Sequence, residues 1–77
     1  MTELEQRVSK IVSNIMSVPL ESVGPESSPD NLDAWTSVQH MNLILALEQE
    51  FDVQLSDDQI VEMLSVKRIA AELAGAV

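Results

Sequence analysis

The sequence contains no cysteine and only one histidine among its 77 residues. Without cysteine there can be no disulfide and no thiolate metal site, so a metal ion would have to be bound by carboxylates almost alone. A chain of this length forms one domain, here residues 1–77, and buries only a modest core. We therefore expect a single small domain of low stability, without a metal centre.

Basic residues are also scarce. Lysine and arginine together number 4 against 13 acidic residues, which gives a net charge of −9. A negative field of this size repels nucleic acid phosphates and anionic lipid, and it attracts proteins that carry a basic patch. We expect protein partners of that kind, although an acidic surface can also serve solubility alone.

Long apolar runs are missing from the chain. The first seven residues are acidic and are unlike a signal peptide, and no stretch approaches the length that spans a bilayer. Strand signals are missing as well, since there is no apolar alternation and no Asn-Gly or Asp-Gly turn. These absences predict a soluble, cytoplasmic, all-α protein, which we expect to be a monomer.

The apolar residues recur with a helical period over most of the chain. A first stripe runs from Leu4 to Met16. Thr2 and Glu5 have the spacing of a capping box at its start, and Pro19 ends it.

The next segment, residues 17–36, has no helical period and contains all three prolines. Connections of this length are uncommon in compact domains and are often functional. We expect an ordered loop that is fastened to the helices by its apolar side chains. These are Val18, Leu20, Val23, Leu32 and Trp35.

A second helix is predicted from Ser37 to Phe51, with Thr36 and Gln39 as a second capping box.

A short third helix should follow Ser56, with Gln59 completing its capping box, and should end near Leu64. Ser65 should cap a fourth helix that runs to about Ala74. Gly75 is a residue type that commonly ends a helix, so we expect the fourth helix to stop there. The expected fold is a bundle of three longer helices and one short third helix, with a long loop between the first two.

Ser37 is the candidate functional residue because it opens the central helix at the end of the long loop. Backbone N–H groups in a first helical turn lack helical partners, and the helix dipole is positive there. A phosphodiester attached at this point would be stabilised. Serine is common in such turns, so position alone does not establish a function.

The residues after Ser37 add a specific signal. The segment 46–51 reads Ala-Leu-Glu-Gln-Glu-Phe and resembles the end of the second helix of acyl carrier proteins, at the family's distance from the serine. The segment 53–58 resembles the family's entry to its third helix, and Ser65-Val66 resembles the Thr-Val that opens its fourth. The resemblance covers nearly the whole chain.

The resemblance implies a carrier rather than an enzyme. Ser37 would be the hydroxyl to which a phosphopantetheinyl transferase attaches 4'-phosphopantetheine from coenzyme A. The thiol of that arm would hold an acyl group as a thioester, which fits a chain without cysteine. The partners implied are this transferase and the enzymes that load and transfer acyl groups, and no residue has a catalytic role.

The sequence departs from the family pattern around the serine. Thr36 replaces the usual Asp before it, and Val38 replaces the usual Leu after it. Trp35, two residues before the serine, resembles a divergent group of discrete carriers that act outside primary fatty acid synthesis. The departures indicate specialised lipid or polyketide-type biosynthesis.

The apolar positions of the second helix spread over roughly 220° of its circumference, about twice what a core stripe needs. Leu43, Ile44, Leu47 and Phe51 cluster on one side, and we assign Leu43, Leu47 and Phe51 to the core. The opposite side is predicted to be a docking surface for partner enzymes; its residues are Val38, Met41, Leu45 and Glu48. The alternative is a central helix buried nearly all round.

The acyl chain should lie in the seam between the second and third helices. The candidate cavity residues are Leu47, Phe51, Ile60, Met63 and Leu64. His40 is predicted to pack inside the bundle with a loop carbonyl as its partner, and Trp35 is predicted to anchor the long loop.

Two other functions remain compatible with the sequence. One is a carrier of aminoacyl or peptidyl groups, although the strong acidity and the segment 46–51 favour acyl groups. The other is an unmodified helical interaction module that has lost the arm, a reading that Trp35 and Thr36 keep open.

Overall fold

A computed structural model describes residues 2–76 of the chain. This part is helical and contains no strand, which confirms the predicted bundle of three longer helices and one short one. The elements in chain order are α1 (Glu3–Met16), a 3-10 turn (Leu20–Ser22), α2 (Ser37–Phe51), α3 (Asp57–Glu62) and α4 (Val66–Ala76).

The start of α1 has the predicted capping box. The Thr2 hydroxyl accepts from the Glu5 N–H at 3.1 Å, and the Thr2 N–H donates to the Glu5 carboxylate at 2.9 Å. The backbone hydrogen bond from Thr2 is the main cause that lowers the pKa of Glu5. This hydrogen bond therefore stabilises the folded state at pH values above the ordinary glutamate pKa. The stabilisation is lost as the pH falls through the lowered pKa of Glu5.

The start of α2 has only half of the predicted box. The Thr36 hydroxyl accepts from the Gln39 N–H at 3.2 Å, but the Thr36 N–H donates to the Ala34 carbonyl at 2.9 Å. The Gln39 side chain instead donates to the Ile15 carbonyl at 3.0 Å, in the last turn of α1. Carbonyls in a last turn lack helical partners, so this contact ties the end of α1 to the start of α2.

Helices α3 and α4 begin where the sequence predicts, but they end at other residues than predicted. Ser56 and Gln59 form the predicted capping box, and Ser65 caps α4 through a 3.1 Å hydrogen bond from the Arg68 N–H. α3 ends at Glu62 rather than near Leu64, and α4 continues past Gly75 to Ala76. Gly75 does not adopt the left-handed conformation that ends many helices, so it provides no stop.

The core lies between α1, α2 and α4, with contributions from the long loop. It consists of apolar side chains that are at most 8% exposed. They are Val8, Val12, Met16, Val23, Trp35, Leu43, Ile44, Leu47, Leu55, Met63, Val66, Ile69, Ala70 and Leu73.

The long loop is ordered, as expected. Val23 and Trp35 are buried, but Leu20 is 46% exposed and does not fasten the loop, because it opens the 3-10 turn on the surface. The loop also caps α4 from outside that helix: the Val66 N–H donates to the Ser27 carbonyl at 3.2 Å, and the Lys67 N–H donates to the Pro25 carbonyl at 3.0 Å. These two hydrogen bonds satisfy backbone N–H groups that have no hydrogen-bond partner within the first turn of a helix.

None of the helices within residues 2–76 combines the length and the apolar character that crossing a bilayer requires.

We predict that added salt or millimolar magnesium raises the melting temperature. The net charge of −9 on 77 residues weakens the compact state through self-repulsion, and mobile cations screen it. No group of three or more potential metal ligands occurs among the described residues, so cations should act by screening or by weak binding at the acidic clusters 48–52 and 57–58. Thermal unfolding followed by circular dichroism at low and high salt checks this. An unchanged melting temperature would contradict it.

Candidate functional site

Ser37 is the first residue of α2, and its side chain is exposed. Thr36 satisfies two backbone groups of the first turn, since its hydroxyl accepts from Gln39 N–H and its carbonyl accepts from His40 N–H at 2.8 Å. The N–H groups of Ser37 and Val38 remain at the positive end of a 15-residue helix. The Ser37 hydroxyl is therefore accessible, and a phosphate ester on it would lie in a favourable field.

A groove of about 380 Å³ opens beside Ser37, between the end of the long loop, α2 and α3. Its lining is mostly apolar, and its volume falls in the range of about 300–1,000 Å³ that small-molecule sites occupy. We call it the Ser37 groove; its lining residues are Pro29, Trp35, Thr36, Ser37, His40, Met41, Ile60, Val61 and Leu64.

Only two of the five predicted cavity residues line this groove, Ile60 and Leu64. Leu47 and Met63 are fully buried in the core instead. Phe51 lies at the far end of α2, where the Arg7 guanidinium sits 4.4 Å from its ring centroid. A helix rises about 1.5 Å per residue, so Leu47 is about 15 Å along the axis from Ser37, and Phe51 is farther still.

The Ser37 groove adds residues that sequence reasoning placed elsewhere or did not name. The helical wheel predicts that Met41 belongs to the docking surface, and the structure shows that Met41 also lines the groove. The sequence pattern does not single out Val61 or Pro29, which line it as well. Val61 is recognisable in the sequence as an apolar residue on the short third helix, between Ile60 and Glu62. Whether its side chain faces the groove or solvent depends on how α3 packs against α2.

His40 has two partners, and neither is a loop carbonyl. The Trp35 indole N–H donates to His40 Nδ1 at 3.0 Å, and His40 Nε2 lies 3.0 Å from the Ile60 carbonyl oxygen, which belongs to α3. The prediction of a satisfied, packed histidine was right, but the predicted kind of partner was wrong. Trp35 is buried as expected of a loop anchor, and it also orients the histidine.

The two sides of α2 differ in exposure as the helical wheel predicted, except that Phe51, which was assigned to the core, is only partly buried. Leu43, Ile44 and Leu47 are at most 2% exposed. The opposite side presents three large apolar side chains to solvent: Val38 at 72%, Met41 at 50% and Leu45 at 56%. The alternative of a helix buried all round is therefore wrong, and an apolar surface next to Ser37 is available to a partner.

Glu48 differs from its predicted surroundings. It is half-buried, and its carboxylate accepts from the Leu55 N–H at 2.9 Å. The side chain thus orders the turn between α2 and α3. Its role in docking stays a prediction.

Charge is distributed unevenly along the fold. All four basic residues lie on α1 or α4, whereas ten of the thirteen acidic residues lie between residues 11 and 66, a segment without lysine or arginine. This segment contains the long loop, α2 and α3, which are the elements that form the Ser37 groove. A basic partner would therefore be attracted to these elements more than to α1 or α4.

The model of a family described as "Phosphopantetheine attachment site" matches residues 6–73 of the chain. The acyl carrier protein of Buchnera aphidicola subsp. Schizaphis graminum is 32% identical over 69 residues, which cover 88% of this chain and 86% of that protein. Acyl carrier proteins of Nitratidesulfovibrio vulgaris strains DP4 and Hildenborough are each 38% identical over 65 residues, which cover 83% of this chain and 84% of theirs.

A small helical bundle with a phosphopantetheine attachment sequence and an exposed serine at the head of its central helix is a carrier domain. The chain belongs to the acyl carrier protein family, as the sequence resemblance indicated.

Its prosthetic group is 4'-phosphopantetheine, which supplies the thiol that this cysteine-free chain lacks. The residues around Ser37 fit such a group: the exposed hydroxyl could be esterified by the phosphate of the arm, and the apolar groove lies next to it. Family membership implies a phosphopantetheinyl transferase and acyl-handling enzymes as partners, and proteins of this family are in general carriers without catalytic activity of their own.

Proposed function

We propose that the chain carries acyl intermediates as thioesters on a phosphopantetheine arm attached to Ser37, in specialised lipid or polyketide-type biosynthesis. The observation that carries the proposal is the position of Ser37. Its side chain is exposed at the positive end of α2 and lines an apolar groove. The modifying enzyme can reach the hydroxyl without unfolding the chain.

The Ser37 groove is proposed to shelter the acyl chain. Burying a methylene group is favourable by about 0.8 kcal/mol, so an apolar cargo gains by leaving water for an apolar lining next to its point of attachment. Ile60 on α3, Leu64 just after α3 and Met41 on α2 provide that lining. We therefore propose that the cargo lies at the Ser37 end of the seam rather than in the deeper core around Leu47.

The neighbouring surface of α2 is proposed to bind partner enzymes. Val38, Met41 and Leu45 are exposed apolar side chains on one face, and the elements around them carry acidic residues without basic ones. An apolar centre with an acidic edge complements an enzyme surface with an apolar depression and a basic rim.

A specialised pathway is supported by the residues next to Ser37. Thr36 places a neutral hydroxyl where carriers of primary fatty acid synthesis usually have a carboxylate, and that hydroxyl is engaged as a helix cap. Trp35 forms a buried wall of the groove. Both features alter the surface that a housekeeping enzyme would meet.

The proposal is tested by the intact mass of the protein purified from its native host. We expect one phosphopantetheine per chain, in part with an acyl group whose mass identifies the cargo. An aminoacyl mass would indicate the alternative carrier. An unmodified chain, both from the host and after incubation with coenzyme A and several phosphopantetheinyl transferases, would overturn the proposal.

Pathway assignment has a separate test. The holo chain should be a poor acceptor for the enzymes of primary fatty acid synthesis, compared with the housekeeping carrier of the same host under the same conditions. Equal rates of acyl loading on the two carriers would contradict a specialised role while leaving the carrier function intact.

We predict that Leu45→Ala weakens acyl transfer to a partner enzyme without altering the fold. Leu45 is 56% exposed and does not line the Ser37 groove, so its loss affects docking rather than cargo. Truncating an important interface side chain costs more than about 1 kcal/mol, so kcat/KM should fall about fivefold or more. Leu20→Ala, which removes an exposed leucine of the loop, is the matched control. Equal rates for both variants would exclude this face as the docking surface.

A further inference from the structure

Three residues from three elements form one hydrogen-bond chain along the Ser37 groove. Trp35 Nε1 in the loop is 3.0 Å from His40 Nδ1 on α2, and His40 Nε2 is 3.0 Å from the Ile60 carbonyl oxygen on α3. The two rings also stack, with centroids 6.1 Å apart and an interplanar angle of 26°. All three residues line the groove.

The protonation state of His40 in this arrangement follows from its partners. An indole N–H can only donate, and a carbonyl oxygen can only accept. His40 must therefore accept at Nδ1 and donate from Nε2. The complete chain of hydrogen bonds requires a neutral imidazole ring with its proton on Nε2.

A protonated ring satisfies one partner and not the other. Nε2–H still donates to the Ile60 carbonyl, but Nδ1 then carries a hydrogen that points at the Trp35 N–H. Two donors face each other, and an unpaired buried donor is costly. Trp35 is only 3% exposed, so its N–H has to leave this position to reach water.

The charged residues on the elements around His40 do not offer a replacement partner within the groove. No acidic or basic side chain lines the Ser37 groove. All the acidic residues of these elements are exposed except Glu48, whose carboxylate accepts from the Leu55 N–H. They are Glu21, Glu26, Asp30 and Asp33 in the loop, Glu48 and Glu50 on α2, and Asp57, Asp58 and Glu62 on α3.

We propose that His40 is a positioning residue that holds Trp35 as a wall of the Ser37 groove only while its ring is neutral, and that protonation of His40 releases Trp35 and opens the groove. Trp35 and Thr36 directly precede Ser37, so release of the indole also loosens the attachment point. The effect on cargo rests on the proposed function, whereas the movement of Trp35 does not.

The apo protein provides the test, because Trp35 is its only tryptophan and it has no tyrosine. Fluorescence emission and acrylamide quenching are measured from about pH 8 to about pH 5, a range that spans the charge change of an ordinary histidine. We expect the emission to shift to longer wavelength and quenching to increase as the pH falls, with the profile of a single proton. Circular dichroism over the same range should show that the helices persist.

His40→Gln is the matched variant. The glutamine amide offers one acceptor and one donor to the same two partners and does not titrate. It should keep the emission of the neutral wild type across the whole range, and it also controls for the titration of surface carboxylates. His40→Phe, which offers neither a donor nor an acceptor, should show an accessible Trp35 at every pH.

Two outcomes would overturn the proposal: wild-type emission and quenching that do not change with pH, or the same change in His40→Gln. Because the measurement uses the apo chain, it can be repeated in Ser37→Ala with the same expected result. Failure to modify Ser37 would refute the attachment site without affecting the proposed movement of Trp35. Fluorescence that does not change with pH would refute the movement of Trp35 without affecting the attachment site.

Discussion

Ser37→Ala is expected to abolish attachment of phosphopantetheine completely. No other group can replace the hydroxyl that becomes esterified, and the other eight serines of the chain are not placed at the start of α2 next to the groove. Intact mass spectrometry after incubation with coenzyme A and a broad-specificity transferase should show one added arm on the wild type and none on the variant.

The variant should remain folded, so that the loss is chemical rather than structural. Ser37 is exposed, and the hydroxyl that caps α2 belongs to Thr36. Alanine also has a higher helix propensity than serine. The circular dichroism spectrum and melting temperature should therefore match those of the wild type.

Ser22→Ala is the control for this experiment. It removes another exposed serine, in the 3-10 turn of the loop, and should leave modification unchanged. Modification that persists in Ser37→Ala would show that the attachment site has been assigned to the wrong residue.

Leu47→Ala is expected to destabilise the fold more than any change on the exposed side of α2. Leu47 is fully buried in the core, so truncation leaves a cavity and costs about 2–5 kcal/mol. A domain of this size has a total stability of about 4–12 kcal/mol. We expect the melting temperature to fall by about 10 °C or more, or the variant to be unfolded at ambient temperature.

Met41→Ala is the matched control, since it truncates a side chain of similar size six residues earlier on the same helix. Met41 is 50% exposed, and its removal creates no enclosed cavity. Thermal melts of the two variants under identical buffer conditions decide the assignment. A larger loss of stability in Met41→Ala than in Leu47→Ala would mean that the two sides of α2 had been exchanged.

The elements of the fold follow from short-range chemistry, which a sequence displays directly. The helix starts at Thr2, Thr36, Ser56 and Ser65 were found because a capping hydroxyl acts within three residues. The buried and exposed sides of α2 followed from helical period together with the polarity of Ser37 and Glu48. Helix ends were less accurate, because Gly75 can either continue a helix or stop it.

The sequence by itself also determined the family and the net charge, because these depend on residue identity and on spacing along the chain. It also provides the prediction that Ser37 is the attachment site. Only the tertiary structure decided where the groove lies. Leu47 and Phe51 are apolar and belong to the same helix as Ser37, but Leu47 is buried in the core and Phe51 is at the far end of α2, so neither lines the groove. Val61 on α3 lines it instead, because of the way α3 packs beside α2. The hydrogen-bond chain from Trp35 through His40 to Ile60 was hidden for the same reason. Its last contact joins residues 20 positions apart, and no local pattern records which backbone carbonyl a side chain will meet.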